Sequence, residues 1–118
     1  THVCLRHVKP EPIWDALSDY KVTHLCGAPV VMSTILSLEN SKRRLLENRV
    51  EFFTAAAPPP EKTLTEMNVS GFNVTHLYGL SETYGPAVVN EWHQEWNDLI
   101  KEKHPSLPFR QVFRYLPL

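Results

Sequence analysis

The segment Tyr78-Gly79-Leu80-Ser81-Glu82-Thr83-Tyr84-Gly85-Pro86 gathers a hydroxyl, a carboxylate and an aromatic ring within a few residues. A loop built this way suits a phosphorylated ligand. Ser81 donates a hydrogen bond, Glu82 ligates a hard cation and Tyr78 stacks on a base. Magnesium prefers oxygen ligands and commonly takes one or two carboxylates together with substrate phosphates. On spacing alone, a solvated polar turn is the better reading.

The other chemistry-bearing residues are less organised. The six histidines, His2, His7, His24, His76, His93 and His104, are scattered. No CxxC or HxxxH spacing supports a metal site, so ordinary hydrogen bonding is the simpler role. Cys4 and Cys26 fall in apolar segments and read as free buried thiols of a reducing compartment, which points to a cytoplasmic location. Trp92 and Trp96 read as one packed helix face, and Lys42-Arg43-Arg44 as a solvated helix turn. Pro58-Pro59-Pro60 reads as a loop before a helix.

These residues need a scaffold. Thr1–Val8 reads as a strand, ended by Lys9-Pro10-Glu11-Pro12, where Pro suits a first helical turn. Ile13, Trp14, Leu17 and Tyr20 recur at helical spacing. Val22–Cys26 is a short strand closed by Gly27-Ala28-Pro29. A helix follows, with Val31, Ile35 and Leu38 on one face, then a short polar helix over Lys42–Asn48. Arg49–Ala55 is a strand, and Pro59–Val69 a helix with Leu64 and Met67 inward and Gly71 as its stop. Phe72–Tyr78 is a strand, Gly79–Pro86 a loop, Glu91–Lys103 a helix and Gln111–Tyr115 a last strand. The alternation predicts an α/β fold, a mostly parallel sheet flanked by helices on both faces. Val22-Thr23-His24-Leu25-Cys26-Gly27 and Val74-Thr75-His76-Leu77-Tyr78-Gly79 share V-T-H-L-x-G. The echo marks two equivalent crossover units, with His24 and His76 placed alike. Both copies point at the carboxyl edge, where ligands bind in open α/β sheets.

Composition narrows the classes. The 118 residues suit one domain, and 42% apolar with 21% charged residues suit a packed core. Twelve Lys+Arg against 13 Asp+Glu give a net charge of -1, which argues against a nucleic-acid partner. The 4 glycines form neither a GxGxxG nor a GxxxxGK pattern. No apolar stretch approaches the roughly 20 residues of a membrane span.

Tyr78-Gly79-Leu80-Ser81-Glu82 resembles the YGxTE motif of the AMP-forming adenylate enzymes, the superfamily of acyl-CoA synthetases, luciferases and peptide-synthetase adenylation domains. Further segments agree in order along the chain. Thr1–Arg6 resembles the TNVCLR-type strand of a medium-chain or aromatic acyl-CoA synthetase branch. Val22–Pro29 resembles its VTHxCGAP segment and Thr54–Pro60 its TAGAAPPP loop. Glu82–Pro86, Glu91-Trp92 and Glu95-Trp96 resemble its ETYGP…EWxxEW continuation.

The resemblance implies that the whole chain, 1–118, is a central fragment of the large N-terminal domain of an acyl-CoA synthetase. Such enzymes use ATP, Mg²⁺ and coenzyme A to activate a carboxylic acid. By resemblance Glu82 is the Mg²⁺ ligand and Ser81 contacts the phosphates; these two are the catalytic candidates. Tyr78 and Gly79, with Ala56, Ala57 and Pro58 opposite, border the adenine. Gly27, Ala28, Gly79 and Leu80 border the acyl pocket. Ser81 replaces the commoner Thr but keeps the hydroxyl. The adenine loop lacks the family's Gly, either replaced by Ala55 or deleted, and Gly lets backbone approach a ligand closely. The Gly/Ser/Thr-rich phosphate loop with its Lys, the ribose-binding Asp and the C-terminal catalytic Lys have no match in Thr1–Leu118. The fragment alone is therefore expected to be inactive. Apolar faces left unburied drive association, so a homo-oligomer of the fragment is expected. A noncatalytic α/β module with weak nucleotide binding, and a luciferase-like or peptide-synthetase adenylation fragment, remain the alternatives.

Overall fold

The computed structural model describes residues 1–90. The expected helix at Glu91–Lys103 and strand at Gln111–Tyr115 lie outside the described residues.

Helix α1 (Pro10–Asp19) starts on its two prolines and buries Ile13, Trp14, Ala16 and Leu17. Tyr20, expected on that face, caps the helix and is exposed. Strand β1 (His24–Cys26) leads into helix α2 (Pro29–Leu36), which buries Met32 and Ile35. Strand β2 (Val50–Thr54) alternates buried and half-buried residues. Helix α3 (Glu61–Val69) turns Met67 inward and ends at Ser70. Gly71 follows with φ 98°, the left-handed stop that favours glycine. Strand β3 (Phe72–Leu80) and strand β4 (Gly85–Asn90) flank a 3₁₀ turn, Ser81–Thr83.

The sheet runs β1-β2-β3-β4. The first three strands are parallel and β4 is antiparallel to β3. The mostly parallel sheet flanked by helices is therefore present. Both crossovers, through α2 and α3, step in the same direction. A shared hand then places their helices on one face. α1 joins them, and one core forms from Ile13, Trp14, Leu17, Met32, Ile35, Val50, Phe52, Met67 and Phe72. Leu25, Phe52 and Val74 stand side by side in the register on this face. Helices on both faces were expected, but all the described helices pack against this one. The other face carries a Glu51–Asn73 hydrogen bond of 2.8 Å and a His24–Phe53 stack.

Other expectations are corrected. Thr1–Lys9 forms no strand, and Val3, Leu5 and Val8 are exposed. β-branched content cannot hold a strand without a neighbouring ladder. Cys4, on this unpaired segment, and Cys26, on the open face, are exposed free thiols rather than buried ones. Lys42–Asn48 is not helical. A single 3₁₀ turn spans Asn40–Lys42, and Arg43 is extended. Arg43 is no solvated residue either. It is half-buried, donates to the Leu38 and Leu36 carbonyls at 2.8 and 2.6 Å and to Ser70 Oγ at 3.1 Å, and lies 5.9 Å over the Trp14 ring. Those bonds cap the open carbonyls at the end of α2, which a helical Arg43 would have left unmet.

The His24–His76 echo also fails. His24 aligns with Glu51 on the open face, whereas His76 aligns with Thr54 on the helix face. The two rings occupy opposite faces of the sheet, with β2 between their strands. Among the described residues no helix is long and apolar enough to cross a membrane.

Candidate functional site

Parallel strands send their carboxyl ends to one rim, so the loops after β1 and β2 emerge together. Gly27 and Ala28 leave β1, Ala55–Pro58 leaves β2, and Ser81–Thr83 leaves β3. Gly27, Ala28 and Ala55–Pro58 thus share one rim, whereas β3 runs on from His76, its last pair with β2, to Leu80, so Ser81 and Glu82 lie on an extension beyond that rim. They are not all adjacent. Gly27 and Ala28 are separated from the β3 turn by β2, about 10 Å across the sheet.

Gly27 donates its N–H to the Phe53 carbonyl at 3.0 Å, continuing the ladder past β1. A Cβ there would sit 2.9 Å from Val31 Cβ, so the missing side chain lets α2 approach.

The β3–β4 connection is a hairpin, not the expected loop over Gly79–Pro86. A register shift falls at Tyr78/Gly79, where Tyr78 faces Val88 and Gly79 faces Pro86. A Cβ on Gly79 would lie 2.4 Å from the Gly85 carbonyl oxygen and 2.9 Å from Pro86 Cα. The strands close only because Gly79 has none. Tyr84 (φ 59°) and Gly85 (φ 123°) complete the reversal. Ser81, Glu82 and Leu80 are exposed at its tip.

Tyr78 stands on the same strand face as Phe72, Val74 and His76, by the two-residue period of a strand. It is 42% exposed. The Ala55–Pro58 loop reaches this side, since the Ala56 backbone lies beside His76, two residues earlier on β3. Ala56 adopts φ 75°, a glycine-type conformation.

Beneath this loop lie two polar atoms that sequence reading missed. Thr54 Oγ1 and His76 Nε2 are buried without a hydrogen-bond partner among the described residues. Burial pushes the His76 pKa below its ordinary 6.5, and the Ala56 backbone beside it acts weakly the other way. Counting alternation from buried Phe72 puts His76 inward, so a signal was present.

Glu82 and Ser81 offer hard oxygen donors. No group of three or more His, Cys, Asp or Glu able to hold a metal occurs among the described residues. One carboxylate beside a hydroxyl fits a cation shared with a phosphate ligand better than an all-protein cage.

Fold and rim together define an α/β segment with a mostly parallel sheet flanked by helices. The chain belongs to the AMP-binding enzyme family, whose family model matches residues 1–108. It is 44% identical over 116 residues to the acetate/butyrate–CoA ligase AAE7, peroxisomal, of Arabidopsis thaliana, covering 98% of this chain and 20% of the relative. Among solved structures it resembles the N-terminal domain of FACL13 from Mycobacterium tuberculosis. The TM-score is 0.64 at 17% identity, over 70% of this chain and 21% of the other. O-succinylbenzoate coenzyme A synthetase from Bacillus subtilis, in complex with ATP and magnesium ion, matches with a TM-score of 0.58 at 22% identity, over 79% of this chain and 18% of the other. The chain spans about one fifth of the length of the curated relative.

Proposed function

We infer that this chain is the central segment of the large N-terminal domain of an AMP-forming acyl-CoA ligase. The observation that carries this is the Ser81–Glu82 turn, exposed at the tip of a closed hairpin that carries β3 past the carboxyl rim where the Ala55–Pro58 loop leaves β2. The CoA ligase named as its relative, and the ATP and magnesium of the synthetase structure, support the same chemistry.

In that reaction a substrate carboxylate oxygen bonds to the α-phosphorus of ATP. The bond to the bridging oxygen breaks and pyrophosphate leaves. A coenzyme A thiol then takes the acyl group from the acyl-adenylate and AMP departs. Glu82 would hold the cation, which offsets phosphate charge as it develops. The Ser81 hydroxyl would donate to a phosphate oxygen. Tyr78 would cover one face of adenine and Ala56, Ala57 and Pro58 the other. Gly27, Ala28, Gly79 and Leu80, small or at the rim, would border the acyl chain.

Radiolabelled pyrophosphate exchange into ATP tests this reading. The enzyme containing this segment should exchange when given a carboxylic acid, with acetate and butyrate as first probes. The 118-residue segment alone, without the phosphate-loop and C-terminal lysines that the resemblance implies, should show none. Exchange by the segment alone would overturn the inactivity. No exchange by the parent enzyme with any acid would favour a noncatalytic module. Cysteine usage supports a reducing compartment, and the plant relative is named as peroxisomal; fractionation decides between cytoplasm and peroxisome.

A further inference from the structure

We propose that Thr83 is the positioning residue of the Ser81–Glu82 turn, an inference that rests on the function just assigned to that turn. The Thr83 hydroxyl oxygen accepts the Leu80 N–H at 2.9 Å. Its proton faces two carbonyls, Leu80 at 2.9 Å and Gly85 at 3.0 Å. One side chain thus ties the last residue of β3 to the first residue of β4, with Ser81 and Glu82 held between. The backbone adds the Tyr84 N–H to the Ser81 carbonyl at 3.2 Å. No hydrogen bond among the described residues uses the Ser81 hydroxyl or the Glu82 carboxylate, so both stay free for a ligand while Thr83 satisfies the turn.

Thr83 is exposed, so its contribution comes from the hydroxyl and not from packing. A hydroxyl supplies both a donor and an acceptor, which the isosteric Val lacks. Partners that orient a metal ligand commonly change metal affinity by about 10- to 100-fold when removed. Thr83 orients Glu82 through the backbone of the turn, so the lower end of that range is expected.

The test uses the full-length enzyme containing this segment, with Mg²⁺-ATP, and AMP in EDTA, as calorimetric probes. Thr83→Val should weaken Mg²⁺-ATP about tenfold and leave AMP in EDTA unchanged. Thr83→Ser, which keeps the hydroxyl, should bind both as wild type does. Glu82→Gln serves as the control for the turn itself. If Glu82→Gln weakens Mg²⁺-ATP while Thr83→Val does not, the positioning role is wrong and the turn's function stands. If Glu82→Gln has no effect, the functional reading fails and the Thr83 inference falls with it. Equal weakening of both probes by Thr83→Val shows general loss of structure and contradicts the proposal, as does loss of binding in Thr83→Ser.

Discussion

At the scale of single residues, two positions near the rim carry a conformational or electrostatic load. Ala56 sits at φ 75° in the loop beside Tyr78. A non-glycine residue there costs roughly 1–2 kcal/mol. Ala56→Gly should therefore raise stability, by about 1 kcal/mol once the extra freedom of glycine in the unfolded chain is subtracted. Chemical denaturation of both variants measures this, and a lower midpoint for Ala56→Gly would count against the strain. His76 supplies the second case. Its folded pKa lies below 6.5, chiefly through burial. As pH falls, the unfolded chain takes up the proton before the folded one does. Stability from the neutral ring is thus whole well above pH 6.5 and is lost as pH drops through the folded pKa. Thermal midpoints should decline on acidification below about pH 6.5, and His76→Gln should flatten that part of the profile.

At the scale of elements, Arg43 locks the helical layer. Its guanidinium meets two carbonyls at the end of α2 and the hydroxyl of Ser70, the residue that follows α3. Trp14 adds a bond from its indole N–H to the Ile35 carbonyl at 3.0 Å and an edge-on contact with Phe72. Charged hydrogen bonds of this kind contribute roughly 1.5–3 kcal/mol. Arg43→Ala should cost about 2–3 kcal/mol, and Arg43→Lys should recover little, because one ammonium cannot span three acceptors in a plane. Equilibrium unfolding reads both. Proline starts, the Gly71 stop and 3.6-residue periodicity made α1, α2 and α3 legible in the sequence. Arg43 was not legible, because a basic triplet looks the same whether it faces water or carbonyls from distant turns. The strand expected at Thr1–Val8 shows the complementary limit. Local propensity was right for a strand, but pairing is a property of neighbours. The common edge of the loops after β1 and β2 was legible from the order of strands. The hairpin was hidden by Gly79, Gly85 and Pro86, which read as loop residues yet serve a close approach between strands.

At the scale of the molecule, the described helices cover a single face of the sheet, and the opposite face presents His24, Cys26 and Phe53. Leu45 and Val69 are 93% and 85% exposed near the other end of the sheet. Apolar surface distributed this way favours association when the segment stands alone. The isolated segment should form dimers or larger species in light scattering, and a monomer at high micromolar concentration would contradict this. The core needs no such partner, since Trp14, Met32, Ile35, Phe52 and Phe72 are already buried. A folded layer with an adhesive open face is the state expected of it.

The hairpin tip at Ser81 and Glu82 is the proposed seat of magnesium-bound ATP. Isothermal calorimetry of ATP binding to the enzyme containing this segment, with and without Mg²⁺, for wild type and Glu82→Ala, tests it most directly. Mg²⁺ should strengthen binding in wild type, and Glu82→Ala should abolish this gain while leaving AMP affinity intact. An undiminished Mg²⁺ effect in Glu82→Ala would contradict it.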